Sequence, residues 1–511
     1  MAIMGLDTIM LYTEDLYQID GQPYFGYMRG RYTKDELKEC DDFADIFGIE
    51  MIPCIQTLAH LREFLKWDAA AHLRENISTL LPGNDATYEF IEEMIKAASA
   101  PFRSRRIHLG MDEANELGLG NYLKMHGYQR RFDIMNMHVK RVLEITRKLG
   151  LKPMIWSDMY FKIGSKKRVD YDPDAVIPDD VAENIPKDLE LVYWDYYHKE
   201  EDFYLNLIRK HKKLGKLPIF AGGIWTWVGF GTNYGKTYVN STSALRACKK
   251  EGVKEVFATV WMNNGSINNH FSSLLGLQFF AEHGYSKEPD ENKIRERFEF
   301  CTGASYDAFM DLKYLDETPG TNPGNPENCN PSKFLLWQDI LIGLFDKHVE
   351  GLDMEGHYSR LEEKMKMHKC NNKEWDFIFE VPEKLCAVLK LKSGIGLRIK
   401  AYYDEKNING LRSCAQRDLT ELITKVEDLR LSHRKSWFKT CKPFGWEVAD
   451  MCYGALLARI NTAIDRLMDF VEGRIQIIEE LEEERLYFDG RERPSDAGIG
   501  YCNSYNRIVT A

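Results

Sequence analysis

An acidic pair, Asp112-Glu113, directly follows the apolar run at residues 107–111. Hydrolysis of a glycosidic bond usually needs two carboxyl groups, one acting as acid and the other as nucleophile or base. Neighbouring residues on a strand point to opposite faces, but at a strand end the second residue can turn inward from the loop. Most acidic dipeptides are surface charge. The position of this one at the end of a buried run makes it a candidate catalytic pair.

The ends of the other apolar runs also carry acids, amides and aromatic side chains. These residues are Glu14 and Asp15, Gln56 to His60, Trp156 and Asp158, Trp194 to Tyr197, Trp225 and Trp227, and Trp261 with Asn263 and Asn264. A lone Trp at a strand end is more often part of the core than of a site. The recurrence of such residues at corresponding strand ends predicts an aromatic-walled pocket with carboxylates at its floor.

Four junctions show how these residues are positioned. A helix ends at Gly48, Gly150, Gly215 or Gly252, and a short apolar run follows at once. Glycine at this position accepts the left-handed turn that closes a helix. The runs are too apolar for half-exposed strands, which indicates parallel strands covered by helices. We predict seven strands, near residues 6–12, 49–55, 105–111, 152–157, 189–194, 217–222 and 254–260.

A (β/α)₈ barrel needs eight strands. The chain opens as the end of a helix that runs into a strand, so the missing unit is expected before residue 1. After about residue 290 the pattern becomes helical, with a Pro/Gly/Asn-rich loop at 319–331 and helical spacing over 334–352, 373–403, 412–434 and 446–486. The predicted fold is a TIM-type (β/α) barrel lacking its first strand, over residues 1–290, followed by an all-α domain over 291–511.

Composition excludes several classes of protein. The net charge of −11 argues against a nucleic-acid partner. The 11 cysteines are dispersed without a CxxC pair or zinc-site spacing, which predicts reduced thiols in a reducing compartment. The start of the chain shows no signal-peptide pattern, and no stretch has the apolar length of a membrane span. A cytoplasmic location is therefore expected.

The segment from His108 to Glu113 resembles the H-x-G-x-D-E signature of glycoside hydrolase family 20, the β-N-acetylhexosaminidases. The resemblance covers the predicted barrel and extends into the helical region. It is strongest to the bacterial branch with an all-helical C-terminal domain, which is typically intracellular and acts on terminal N-acetylglucosamine. Further segments resemble that branch: 11–15, 55–60, 155–160, 193–197 and 225–228.

The resemblance implies substrate-assisted retaining catalysis without a metal or organic cofactor, in which the substrate's 2-acetamido oxygen attacks the anomeric carbon. Glu113 would be the general acid and then the base, with a pKa raised by desolvation in the pocket. Asp112 would orient the acetamido N–H, and Tyr193 would bond to the acetamido oxygen. The resemblance gives further substrate-binding or supporting roles to Trp156, Trp227, Trp261, His60, Asp195, Asp158 and Asp15. It also implies a homodimer through the helical domain.

Two features depart from the family pattern. The arginine of the family's opening strand, which clamps sugar hydroxyls, has no counterpart, and the usual small N-terminal α/β domain is absent. The family's last strand ends close to W-G-D-N-G-A-E, whereas this chain places Asn263 at the Asp position and Ile267 at the Glu position. Loss of a charged hydrogen bond to a sugar typically costs about 1.5–3 kcal/mol.

Three functions therefore compete. The first is an exo-acting β-N-acetylhexosaminidase that removes terminal GlcNAc or GalNAc from oligosaccharides. The second is an ordinary retaining β-glycosidase, with Glu113 as acid and Asp158 or Asp195 as nucleophile. The third is an inactive or truncated sugar-binding relative, which Ile267 and the missing strand favour. A metal-dependent hydrolase is disfavoured because His60 and His108 lie on different predicted strands and no H-x-H or H-E-x-x-H run exists.

Overall fold

A computed structural model describes residues 1–262 and 267–488. Its sheet has seven strands in sequential order, and each pair with a defined register is parallel. The strands are β1 (Thr8–Tyr12), β2 (Glu50–Cys54), β3 (Arg106–His108), β4 (Lys152–Trp156), β5 (Glu190–Trp194), β6 (Ile219–Gly223) and β7 (Val256–Thr259). All seven fall where the sequence predicted them, so the α/β architecture is confirmed.

Helices alternate with these strands. They are α1 (Lys34–Ile46), α2 (Arg62–Leu65), α3 (Asp85–Ser99), α4 (Asn121–His126), α5 (Arg131–Lys148), α6 (Asp158–Gly164), α7 (Asp179–Glu183), α8 (Glu201–Lys213) and α9 (Tyr234–Glu251). Helix α1 starts with a capping box, in which Thr33 and Glu36 bond each other's backbone N–H groups. The glycines of the four predicted junctions, with φ between 64° and 121°, adopt the positive-φ turns that the prediction required.

The sheet is curled, as contacts between side chains of β3, β4 and β7 show. Arg106 of β3 forms an ion pair with Glu255, which directly precedes β7, and lies 3.8 Å from Glu50 of β2. One level higher, the Trp156 ring of β4 lies 6.0 Å from the Phe257 ring of β7. Strands β2 to β6 are almost wholly buried, whereas every residue of β1, at one edge of the sheet, is half-buried.

The chain divides into two compact units. The first comprises Met1–Gly222 and Asn240–Ala258, and the second comprises Gly223–Val239 and the chain from Thr259 onward. The helices that follow β7 are α10 (Leu274–Tyr285), α11 (Glu291–Thr302), α12 (Tyr306–Met310), α13 (Pro331–Trp337), α14 (Asp346–Val349), α15 (Met354–Asn371), α16 (Asp376–Lys392), α17 (Ile395–Asp404), α18 (Ile408–Ser413), α19 (Leu419–Thr440), α20 (Trp446–Val471) and α21 (Glu479–Glu482). Short 3₁₀ helices lie at Ala2–Met4, Asp68–Leu73, His270–Ser273, Asp311–Leu315 and Lys373–Trp375, and a π-helical turn lies at Cys414–Asp418.

The predicted all-helical character of the C-terminal region is confirmed, but several helix boundaries were wrong. The helix expected over 334–352 is two short helices, because Asp339 accepts the N–H groups of Leu341 and Ile342 and turns the chain between them. Helix α15 was not predicted at all, since its sequence is highly charged and has few apolar residues. The long helix expected over 446–486 ends at Val471, ahead of Gly473 with φ 74°.

The ten cysteines among the described residues form no disulfide. Among the described residues, no helix is long and apolar enough to cross a membrane.

Candidate active site

The loop that follows β3 carries the Asp112-Glu113 pair in an unusual backbone conformation. Gly110, Met111 and Glu113 have φ values of 70°, 75° and 50°. Non-glycine residues avoid this region, and each one held there costs on the order of 1–3 kcal/mol. Such strain persists only where the surroundings impose it, and it is concentrated at functional sites.

Side chains from three strand ends impose this conformation by accepting the loop's N–H groups. His108 Nδ1 accepts from Gly110 at 3.0 Å, Gln56 Oε1 from Met111 at 3.3 Å, and Asp158 Oδ2 from Glu113 at 2.9 Å. The loop is therefore fixed by the ends of β2, β3 and β4 together.

Residue 110 must be glycine for a second reason, besides its positive φ. A Cβ atom there would lie 2.6 Å from Gln56 Cδ and 2.7 Å from the Ile55 carbonyl oxygen, and closer still to Gln56 Oε1. The close approach of this backbone to β2 is what lets Gln56 reach the loop.

His60 joins the two carboxylates of the pair. Its Nε2 lies 3.1 Å from Asp112 Oδ2 and 3.3 Å from Glu113 Oε2, while Gln56 Nε2 donates to Asp112 Oδ1 at 2.8 Å. The side chains of His60, Asp112 and Glu113 keep 26%, 15% and 42% of their surface exposed, so a substrate can reach all three. His60 itself has φ 57°.

The electrostatics of the group follow from these contacts. Burial by itself would lower the pKa of His60, but Asp112 and Glu113 outweigh it and raise that pKa to about 11. Burial would raise the pKa of Asp112, but the charge and hydrogen bond of His60 hold it below its ordinary value. At neutral pH the group therefore contains an imidazolium beside an ionised Asp112.

The expected desolvation of Glu113 is not what the structure shows, because this side chain is the most exposed of the three. The desolvated groups lie beneath it. His108 is fully buried, and burial lowers its pKa to about 3, which keeps the ring neutral. Asp158 is also fully buried, and burial and the nearby Asp112 raise its pKa well above the ordinary value.

Trp156, Tyr193 and Asp195, predicted at the ends of β4 and β5, lie below the accessible surface. Trp156 is buried against His108, with ring centroids 4.2 Å apart. The fully buried Tyr193 donates its hydroxyl hydrogen to Asp195 Oδ2 at 3.0 Å, which leaves no hydrogen for the acetamido oxygen of a substrate. Asp195 also bonds His198, at 2.9 Å from Oδ2, and accepts the Tyr197 N–H at 3.0 Å.

Asp158 is buried in the same way. The sequence placed it among the substrate-binding residues, but its side chain has no exposed surface, and its Oδ1 accepts the Trp194 indole N–H at 3.3 Å. Asp15 is buried as well, and its Oδ1 accepts from Arg29 Nε at 2.7 Å. Both carboxylates are therefore held inside the protein.

The remaining predicted aromatic residues belong to the second compact unit. Trp227 stacks on Trp225 with ring centroids 4.3 Å apart, and the Thr226 hydroxyl donates to the Trp261 carbonyl at 3.0 Å. Ile267 is buried, and Asn263 and Asn264 lie outside the described residues.

The sequence placed Gln56 and Trp194 only among the strand-end residues of the predicted pocket, and it did not single out His198. Gln56 lies two residues beyond Cys54, so strand alternation would have placed its side chain on the same face of the sheet as Ile52 and Cys54. His198 lies only three residues beyond Asp195, but nothing in the sequence signals their contact.

His60, Asp112 and Glu113 each offer a ligand atom within 4.8 Å of the others, a spacing that would suit a divalent cation. The same geometry is explained by a protonated His60 that forms ion pairs with both carboxylates. A metal bound here would have to displace the proton that the two acids hold on His60.

Two family models match separate parts of the chain, and together they cover well over half of it. The model of the glycosyl hydrolase family 20 catalytic domain matches residues 25–198, and that of the glycoside hydrolase 20C C-terminal domain matches residues 307–499. The chain belongs to glycoside hydrolase family 20. The first match includes the whole β3 loop, and the second includes most of the helical region.

Curated relatives of this family 20 chain include hexosaminidase D from Homo sapiens and from Bos taurus. The human protein is 26% identical over 204 residues, which cover 38% of this chain and 39% of that protein. The bovine protein is 26% identical over 254 residues, which cover 47% of this chain and 66% of that protein. The matched region thus spans about two fifths of the human relative and about two thirds of the bovine one.

Similar solved structures include a β-N-acetylhexosaminidase from Bacteroides fragilis and a chitobiase from Flavobacterium johnsoniae. The first is 16% identical with a TM-score of 0.43, over 59% of this chain and 64% of that one. The second is 12% identical with a TM-score of 0.43, over 85% of this chain and 74% of that one.

Proposed function

We propose that this chain is an exo-acting β-N-acetylhexosaminidase that releases terminal GlcNAc or GalNAc from oligosaccharides or glycoconjugates. Family membership supports hydrolysis of a glycoside. The observation that carries the proposal is the Asp112-Glu113 pair, which is held at the carboxyl end of β3 with both carboxylates accessible and bridged by His60.

The proposed reaction uses the substrate's own acetamido group as nucleophile. Its carbonyl oxygen bonds to the anomeric carbon while the glycosidic C–O bond breaks, and the Glu113 carboxyl gives its proton to the leaving oxygen. Water then attacks the anomeric carbon of the oxazolinium ring formed in the first step and loses a proton to the Glu113 carboxylate, which opens that ring and restores the acid. The sugar keeps its β configuration.

The contacts of the pair suit these roles. Asp112 is anchored at both oxygens and ionised, so it can orient the acetamido N–H and stabilise the positive charge that develops on that nitrogen. The protonated His60 lies 3.3 Å from Glu113 and would stabilise the carboxylate that forms when the proton leaves. A bound sugar would cover the exposed Glu113 and supply the desolvation that the free protein lacks.

A protein nucleophile is disfavoured by the same geometry. Asp158 is fully buried, and each of its oxygens accepts a hydrogen bond from the protein. Asp195 is nearly as buried, and its oxygens bond Tyr193, Tyr197 and His198. Neither carboxylate can approach an anomeric carbon without breaking these bonds.

Hydrolysis of two nitrophenyl glycosides tests the proposal, one of β-N-acetylglucosamine and one of β-glucose. We expect turnover of the first alone, loss of that turnover in Glu113→Gln, and its retention in Glu116→Gln, which changes an exposed acid of the same loop. Equal turnover of both sugars would favour a protein nucleophile. A folded protein that hydrolyses neither would favour the sugar-binding alternative.

Two family-based predictions accompany the proposal. We propose a homodimer through the helical region, testable by light scattering on the purified protein, and a cytoplasmic location, testable by cell fractionation.

A further inference from the structure

We propose that Asp158 is a positioning residue for Glu113. Its carboxylate accepts the backbone N–H of Glu113 and so holds that residue in its strained conformation, and it does not contact the sugar. This inference rests on the proposed function, in which Glu113 is the acid and base. It assigns a task to a buried carboxylate that the reaction itself does not use.

The contacts of Asp158 define that task. Oδ2 accepts the Glu113 N–H at 2.9 Å, and Oδ1 accepts the Trp194 indole N–H at 3.3 Å. The side chain has no exposed surface, so water cannot replace it as an acceptor. One carboxylate thereby ties the catalytic loop after β3 to the end of β5.

The Glu113 N–H bond matters because of the backbone that it holds. With φ of 50°, Glu113 would relax to negative φ if nothing opposed it. That rotation would redirect the Cα–Cβ bond and move the carboxylate away from His60, now 3.3 Å distant. A displacement of about 1 Å at a catalytic group can cost on the order of 100-fold in rate.

The two donors also explain why the residue is an acid. A carboxylate accepts at both oxygens, whereas an amide of the same shape offers one oxygen and one NH₂ group. In Asp158→Asn, one of the two N–H donors therefore faces another donor inside the protein. An unsatisfied buried donor is costly, so the loop has a reason to abandon its strained form.

The experiment compares Asp158→Asn with Asp170→Asn. Asp170 is the matched control, because its carboxylate also interacts electrostatically with Glu113. That carboxylate pairs with Lys162, at 2.9 Å, and not with the loop. We expect Asp158→Asn to lower kcat on the order of 100-fold with KM changed by less than about threefold, and Asp170→Asn to keep both close to the wild-type values.

A second substitution tests the donor conflict itself. Trp194→Phe removes the indole N–H, so the amide oxygen in the double variant is free to turn toward Glu113. We expect the kcat of Asp158→Asn/Trp194→Phe to be at least about tenfold higher than that of Asp158→Asn. Simple damage to packing would not give this non-additive result.

An activity-independent readout separates this inference from the proposed function. In protein labelled with ¹⁵N-glutamate, the Glu113 amide proton should move upfield in Asp158→Asn and stay in place in Asp170→Asn. An unmoved resonance, or equal kcat values for the two variants of an active enzyme, would overturn the positioning role. A wild type without turnover would refute the proposed function, and the amide shift would still decide whether Asp158 holds the loop.

Discussion

Replacement of Gly110 by alanine tests whether the close approach of the β3 loop to β2 builds the site. At φ of 70° an alanine costs about 1–2 kcal/mol in backbone strain. The new Cβ would also lie 2.6 Å from Gln56 Cδ and 2.7 Å from the Ile55 carbonyl oxygen. Because Ile55 is bonded to β3 through its backbone, Gln56 must move, which breaks its bonds to Met111 and Asp112. Those two bonds add about 2–3 kcal/mol, so we expect a total destabilisation of about 3–5 kcal/mol.

Gly48→Ala is the matched control, because Gly48 has φ of 68° but nothing within 4 Å of the position that a Cβ would take. Its free energy of unfolding should fall only by the backbone strain of about 1–2 kcal/mol, and its kcat should be unchanged. Urea unfolding gives the free energies, and nitrophenol release at a temperature where both variants are folded gives kcat. If Gly110→Ala matched Gly48→Ala in both stability and kcat, the claim that this contact holds the catalytic loop would be refuted.

Three further predictions concern charged groups. The pKa of His60 is about 11 in the folded chain against an ordinary value of 6.5. The ion pairs of protonated His60 with Asp112 and Glu113 therefore stabilise the fold fully below about pH 6.5, and this stabilisation is lost as pH rises toward about 11. In urea titrations across that range, His60→Gln should remove this loss; an unchanged slope would contradict the ion pair. Asp112→Asn should lower kcat about 10²- to 10³-fold, since a neutral amide cannot stabilise the developing positive charge; a kcat within about twofold of wild type would argue against that role. Arg106→Met, at the opposite end of the strands, should cost about 1 kcal/mol in unfolding free energy and leave kcat unchanged; a large loss of kcat would show that this ion pair also shapes the site.

The sheet could be predicted from the sequence because local signals agreed with one another. Each glycine that ends a helix is followed by an apolar run, and both features reflect short-range backbone chemistry. The order of the strands then follows from the parallel β/α pattern. The helical region was predicted less well, because Asp339 turns the chain through contacts that no periodicity reveals and α15 has few apolar residues.

The candidate site was only partly predictable for the same reason, because it depends on contacts that the sequence does not reveal. The acidic pair stood out because it follows a buried strand, but the side chains that hold it come from far along the chain. Gln56 and Asp158 lie more than 40 residues from the loop that they fix, and only the fold brings them together. Burial was equally unpredictable. Tyr193 near the end of an apolar run and Asp195 just after it could have been an accessible pair, yet they bond each other inside the protein.

In the proposed reaction the substrate's acetamido oxygen, and not a protein carboxylate, attacks the anomeric carbon. The most direct test measures kcat/KM for nitrophenyl glycosides whose N-acetyl group carries zero, one, two or three fluorine atoms, with Glu113→Gln as the control for contaminating activity. Each fluorine withdraws electrons from the carbonyl oxygen and makes it a weaker nucleophile. Attack by the acetamido oxygen predicts a steep fall in kcat/KM along the series. A flat series would contradict it and would mean that the protein supplies the nucleophile.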